Sequence, residues 1–226
     1  MPRVACLLLL VTAAAVAADP DPAQKAGLQQ VGGFVGTWNG AGDGKPAGTK
    51  LLWRQTVTWG WKFTGTDPAL KLEIKDAKGL AAGTLTFQPK EKTYTLKGTD
   101  ADGSEWTYVG KLDRGRLTLD GKDAATGDVR RLTFRTVADG VRLIQTVEDQ
   151  PKGRGPFTKR YEVGATKDGE SFAGSGPKKE CIVTGGTGSM TVSYMGVTYY
   201  VCCSGCRDEF NAEPKKYVDA YLKGKK

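Results

Sequence analysis

Between residues 51 and 63 the chain alternates between two kinds of side chain with a period of two. Leu51, Trp53, Val57, Trp59, Trp61 and Phe63 fall on one face, and Arg54, Thr56, Thr58 and Lys62 on the other. That period belongs to a half-buried strand, because a helix would scatter the same residues around its circumference. So long a tryptophan-rich strand needs a sheet that covers one whole face. The sequence offers further strands around 70–74, 83–87, 93–96, 106–109, 116–119, 130–137, 141–147 and 158–163. Asp-Gly pairs at Asp43-Gly44, Asp102-Gly103, Asp120-Gly121, Asp139-Gly140 and Asp168-Gly169 read as hairpin turns. The predicted fold class is therefore mainly β, an antiparallel up-and-down β-barrel over residues 31–172. A polar, small-residue run over 173–179 reads as a linker to a second, smaller unit.

The second feature is a set of cysteines near the end. Cys181, Cys202, Cys203 and Cys206 are the only cysteines beyond Cys6. Thiolates are soft ligands that select ions such as Zn(II) and Cu(I). Between Cys181 and Cys202, Tyr194-Met195-Gly196-Val197 reads as a two-residue hairpin turn, with Gly196 free to take positive φ. Pairing across it matches Tyr194 with Val197, Val192 with Tyr199 and Met190 with Val201, all on one face. A helix is predicted to begin at Ser204 or Gly205, and Pro214 suits the first turn of a second one. Cys202 and Cys206 stand four apart, the spacing of one helical turn. In an oxidising compartment the four could instead form disulfides. A Cys202–Cys203 bond is sterically poor, which leaves the two connectivities that join Cys181 to one of that pair. Cys203-Ser204-Gly205-Cys206 also has the C-x-x-C redox spacing, but no thioredoxin-like βαβ pattern surrounds it.

This stretch resembles the YHS/TRASH-type metal-binding module. The resemblance rests on Cys181-Ile182-Val183-Thr184-Gly185, on Tyr194-x-Gly196-x-x-Tyr199-Tyr200-x-Cys202-x-x-x-Cys206, and on Phe210, Pro214 and Tyr217. It implies a small α+β, treble-clef-like fold over residues 180–223 and one heavy-metal ion held by Cys181, Cys202 and Cys206. Two departures stand out. Cys203 is an additional thiol beside the pair, and Ile182 occupies a place where the family often has proline. Adjacent residues point in different directions, so Cys203 is expected outside the first coordination sphere, as an optional fourth ligand. Zn(II) fits a four-cysteine tetrahedron if Cys203 turns inward, whereas Cu(I) accepts three thiolates alone.

Phe34-Val35-Gly36-Thr37-Trp38, with Gly-x-Trp at the barrel entry, resembles the start of a lipocalin-like domain. That resemblance implies a small apolar ligand in the barrel, for which Trp53, Trp59 and Trp61 are the candidate lining residues. The alternative is that these tryptophans fill the barrel core, as side chains do in small barrels.

The other end of the chain sets the compartment. Met1-Pro2-Arg3, the apolar run 4–11 and the small residues 13–18 form the three regions of a secretory signal peptide. Cleavage is expected near Ala17 or Ala18, giving a periplasmic or secreted protein with a leader segment over 19–30 and no transmembrane anchor. The formal charge of +8 arises from scattered lysines and arginines. With export and no aromatic-basic motif, it reads as a solvated surface and not as a nucleic-acid site. The chain has no histidine. That removes Ser-His-Asp triads, Cys-His dyads, histidine-ligated zinc hydrolase sites and a histidine-ligated haem. No Gly-rich phosphate loop is present, and the pair Glu148-Asp149 reads as part of a surface turn.

Two functions from different classes fit. The first is an exported, non-enzymatic protein that binds zinc or copper through its C-terminal cysteines for sequestration, trafficking or sensing. The second is a lipocalin-like small-molecule binder whose module is only a metal- or disulfide-stapled appendage. A module of this size has too small a core to be secure without a staple.

Overall fold

The computed structural model describes residues 21–64, 67–170 and 179–223. The residues read as a signal peptide and nearly all of the expected linker lie outside them. Ten antiparallel strands form a closed up-and-down barrel: β1 (Gly36–Gly44), β2 (Leu51–Thr64), β3 (Asp67–Lys75), β4 (Leu80–Gln88), β5 (Thr93–Asp100), β6 (Glu105–Asp113), β7 (Arg116–Lys122), β8 (Val129–Val137), β9 (Arg142–Gln150) and β10 (Thr158–Lys167). Each pairs with its sequence neighbours, and β1 pairs with β10 to close the ring. Closure leaves no free sheet edge around most of the circumference.

Every strand expected from periodicity is present, and most run longer. The extra residues are ones that carry no strand signal, such as Gly98 and Asp100, which pair with Trp106 and Leu80. Three expectations are corrected. Asp120-Gly121 is no turn but lies within β7, whose hairpin to β6 is Arg114-Gly115, both at positive φ. Gly121 is in the strand because the Tyr108 ring occupies the place of its side chain, 2.6 Å from where a Cβ would stand. Asp43-Gly44 likewise belongs to β1, where Gly44 pairs with Leu51 and Tyr161. Glu148 and Asp149 are in β9, and Asp149 is an ion-pair partner of Arg130 and Arg160.

Tryptophans fill the barrel. Trp53, Trp59 and Trp61 are 8%, 0% and 4% exposed. Trp59 meets Phe134 edge-on at 5.4 Å, and Phe34 tilts against both rings. Phe34 lies in a single 3-10 turn (Gly32–Phe34) that comes after helix α1 (Pro22–Gln29). The start of α1 is capped by the Asp21 carboxylate, which accepts from Ala23 N and Gln24 N. The Tyr94 hydroxyl donates to Gly27 O at 2.7 Å, so the leader segment carries a helix fastened to the barrel. Trp38 Nε1 donates to Phe34 O at 2.7 Å, which fixes the 3-10 turn across the same end.

The opposite mouth is polar. Arg130 lies over the Trp106 ring and pairs with Asp100 at 2.5 Å, while Arg160 reaches Asp149 at 3.2 Å. Burial raises the pKa of Tyr161 beside this network to about 12, so its hydroxyl stays neutral.

The C-terminal module comprises a hairpin, β11 (Met190–Tyr194) and β12 (Val197–Val201), then helices α2 (Ser204–Ala212) and α3 (Pro214–Lys223). The hairpin has the expected register, and Met195 and Gly196 both take the positive φ of a tight turn. Its inner face rests on the helices through Tyr199, which packs on Phe210 and on Tyr221. Among the described residues no helix is long and apolar enough to cross a membrane.

Trp59→Ala is expected to cost about 3–5 kcal/mol in urea unfolding, the loss typical of an emptied aromatic core position. A loss below about 1 kcal/mol would show that the indole lines space instead of filling it.

Candidate metal centre

Three short backbone devices bring the cysteines together. In the first, Cys181 N donates to Gly186 O at 2.6 Å and Gly185 N to Cys181 O at 2.8 Å, closing residues 181–186 into a knuckle. Gly185 sits at φ 75, the left-handed conformation that such a tight reversal needs. In the second, the knuckle joins β12 through a parallel bridge, Cys181 to Tyr200, with Ile182 N donating to Tyr200 O at 2.9 Å. The strand ends at Val201 and Cys202 follows it, two residues beyond Tyr200, so the bridge sets Cys181 beside Cys202. In the third, α2 starts at Ser204, two residues after Cys202, and Cys206 in its first turn comes back to within 3.4 Å of the Cys202 sulfur.

The sulfur atoms of Cys181, Cys202 and Cys206 lie within 4.8 Å of one another, and all three residues are buried. Cys202 and Cys206 Sγ are 3.4 Å apart. A metal bound by three sulfurs at about 2.3 Å needs them roughly 4 Å from each other, so the donor set fits a soft ion. It holds no carboxylate and no imidazole. All four cysteines are free thiols.

Hydrogen bonding redistributes their acidity. Cys181 is pulled well below the usual thiol range by Cys202 first and Cys206 next, with further donation from Thr184. Cys202 and Cys206 are pushed up, chiefly because they donate to Cys181. Cys203 is lowered as well, by Cys202 first and Cys206 next, so Cys202 and Cys206 are the thiols that hold their protons. A thiophilic cation would take the place of those protons.

Cys203 has a different place. It is the residue that precedes α2, and its sulfur accepts the backbone N–H of Trp61 at 3.3 Å. β1 ends opposite Trp59, so from Gly60 onward β2 has no strand on that side. The start of α2 covers that stretch. Gly205 approaches Trp61 so closely that a Cβ would stand 1.9 Å from the Trp61 carbonyl oxygen. The fourth thiol thus joins barrel and module and still meets Cys202 and Cys206, outside the group of three whose sulfurs all lie within 4.8 Å of one another.

The leader helix completes the enclosure: Gln29 Nε2 donates to Thr184 O at 2.8 Å and Lys25 Nζ to Val183 O at 3.3 Å. Thr184 Oγ1 is 3.6 Å from Cys202 Sγ. Trp53, Trp59 and Trp61 stay in the barrel core, and the Trp61 backbone N–H donates to Cys203.

Sequence reasoning missed the Trp61 amide, Thr184, Gly205 and Lys167, all of which border the thiols. Lys167 had a usable signal. Tyr161, Val163 and Ala165 alternate inward along β10, and the next residue of that series is Lys167. The Trp61 amide and Gly205 depend on how the module docks, and Thr184 on how its knuckle closes on β12, none of which has a periodic trace.

Residues 186–221 match the YHS domain family, a range that begins five residues after Cys181 and includes the other three cysteines. No curated protein matches the chain. Among solved structures the chain is similar to Rv2717c from M. tuberculosis, at 18% identity over 66% of this chain and 99% of that one, with a TM-score of 0.43.

Gly205→Ala should push α2 away from β2 and free Cys203. Iodoacetamide labelling read by mass spectrometry is expected to modify Cys203 faster in the variant than in the parent protein. Equal rates would mean that the Trp61 contact does not hold the module in place.

Proposed function

We propose that this protein binds one soft metal ion through Cys181, Cys202 and Cys206, and that it does so as an exported carrier or sequestering protein, not as an enzyme. The observation that carries the proposal is the convergence of three buried sulfurs from three separate backbone segments. Three buried thiols without a metal must share protons or charge, and a bound cation resolves that conflict. The match of residues 186–221 to the YHS domain family supports the same reading. The ion would be held by the three thiolates, and the chemistry it brings is thiolate coordination alone.

Copper(I) suits this donor set better than zinc(II). Zinc in a structural site takes four ligands, and the fourth sulfur is engaged with the Trp61 amide. The chain's own residues do the rest. Val201, next to Cys202, and Phe210, one helical turn after Cys206, are both 0% exposed, and the knuckle hydrogen bonds aim Cys181. Export rests on the signal-peptide pattern of residues 1–18, and an exported scavenger of a toxic soft metal needs no catalytic group.

The alternative, a small-molecule barrel with a stapled module, has less support, because the three tryptophans offered as ligand-lining are core side chains.

The test is a serine series titrated with Cu(I) and with Zn(II) against a competing chelator. Cys181→Ser, Cys202→Ser and Cys206→Ser should each lower Cu(I) affinity by orders of magnitude, and Cys203→Ser much less. Equal losses at all four positions would make this a four-thiolate zinc site. An unchanged affinity in Cys181→Ser would remove the proposed site.

A further inference from the structure

Thr184 stands where two long-range contacts meet. Its hydroxyl oxygen lies 3.6 Å from the Cys202 sulfur, within hydrogen-bond reach of so large an atom, and either group can be the donor. Cys202 Sγ is in turn 3.4 Å from Cys206 Sγ. On its other side the Thr184 carbonyl accepts from Gln29 Nε2 at 2.8 Å. A continuous path therefore runs from the leader helix through one threonine to the thiol set. Thr184 is buried, whereas Gln29 is exposed. Gln29, Thr184 and Cys202 also line one cleft of about 310 Å³. The hydroxyl acts on Cys181 as well, whose pKa it lowers.

A hydroxyl suits that place because it is both donor and acceptor and can rotate between the two roles. Beside a thiol it can accept the S–H. A metal-bound sulfur has lost its proton and can only accept, so the same hydroxyl must then donate. Three thiolates around one cation leave excess negative charge in a buried place. A hydrogen bond to a charged acceptor is roughly twice as strong as a neutral one, so this donor matters most once the site is loaded. Contacts of this kind orient metal ligands and tune their basicity. The Gln29 bond holds the threonine backbone, and with it the direction of the hydroxyl.

We propose that Thr184 is a positioning residue of the metal centre: its hydroxyl donates to the metal-bound Cys202 sulfur, and Gln29 of the leader helix holds it there. The inference rests on the reading of Cys181, Cys202 and Cys206 as the metal ligands. Thr184 itself touches no metal.

Thr184→Val keeps the shape of the side chain and removes the donor. The experiment measures Cu(I) affinity of the full chain by chelator competition, the wavelength of the thiolate-to-copper charge-transfer band, and thermal unfolding of the metal-free protein. Affinity is expected to fall about tenfold in Thr184→Val. The band should move to longer wavelength, because a hydrogen bond lowers the energy of the sulfur electrons and its loss raises it. Thr184→Ser, which retains the hydroxyl, should restore both. Gln29→Ala changes an exposed residue and leaves the core intact; it should lower affinity about threefold and shift the band in the same direction. An unmoved band in Thr184→Val, or a serine variant as weak as the valine one, would overturn the proposal while leaving the thiolate site standing. So would an affinity loss matched by lower metal-free stability without a band shift, which marks a packing role. A parent protein that binds no Cu(I) would instead remove the proposed function, and this role with it.

Discussion

One strand that outruns its neighbour organises this molecule. β2 continues five residues past the point where β1 ends, with β3 alone beside it. Backbone groups on the bare side need partners, because an unsatisfied buried amide costs more than a typical hydrogen bond contributes. The module supplies one: Cys203 accepts the Trp61 N–H, and Gly205 lets α2 lie against the Trp61 carbonyl. A sheet-edge problem in the barrel thereby fixes where the module sits. It also decides which of two adjacent cysteines accepts the Trp61 amide.

Docking brings three independent elements to the same barrel end. The leader helix grips the knuckle carbonyls of Val183 and Thr184, the 3-10 turn plugs the barrel beneath, and β10 ends there with Lys167. The module's own core is small, with Val201, Cys206 and Phe210 as its fully buried members. Contacts with the barrel and a bound ion both offset that limit. The opposite barrel mouth, with its Arg130–Asp100 and Arg160–Asp149 pairs, is a separate polar region with no part in the thiol set.

Much of this was legible in the sequence, for identifiable reasons. Period-two alternation finds strands wherever one face is buried, so β2 and its neighbours could be read directly. The hairpin register came from Gly196, because a two-residue turn leaves one way to pair Tyr194 with Val197. Asp-Gly pairs were less reliable. The same dipeptide that makes a turn at Asp139-Gly140 lies inside β7 at Asp120-Gly121, where glycine is required by a ring packed on the strand. Sequence could state that Cys202 and Cys203 point different ways, but not where Cys203 points. That answer lies in Trp61, some 140 residues earlier in the chain. Asp149 was misread for the same reason, since its partners Arg130 and Arg160 come from neighbouring strands.

Whether three sulfurs or four make the site is the question on which the proposed chemistry turns. X-ray absorption at the copper edge of the protein loaded with one equivalent of Cu(I) answers it. A first shell of three sulfur neighbours is expected, matching Cys181, Cys202 and Cys206. The spectrum should be unchanged in Cys203→Ser, whose sulfur is committed to Trp61. A shell dominated by nitrogen or oxygen, or one that loses a sulfur when Cys203 is replaced, would contradict the three-thiolate site.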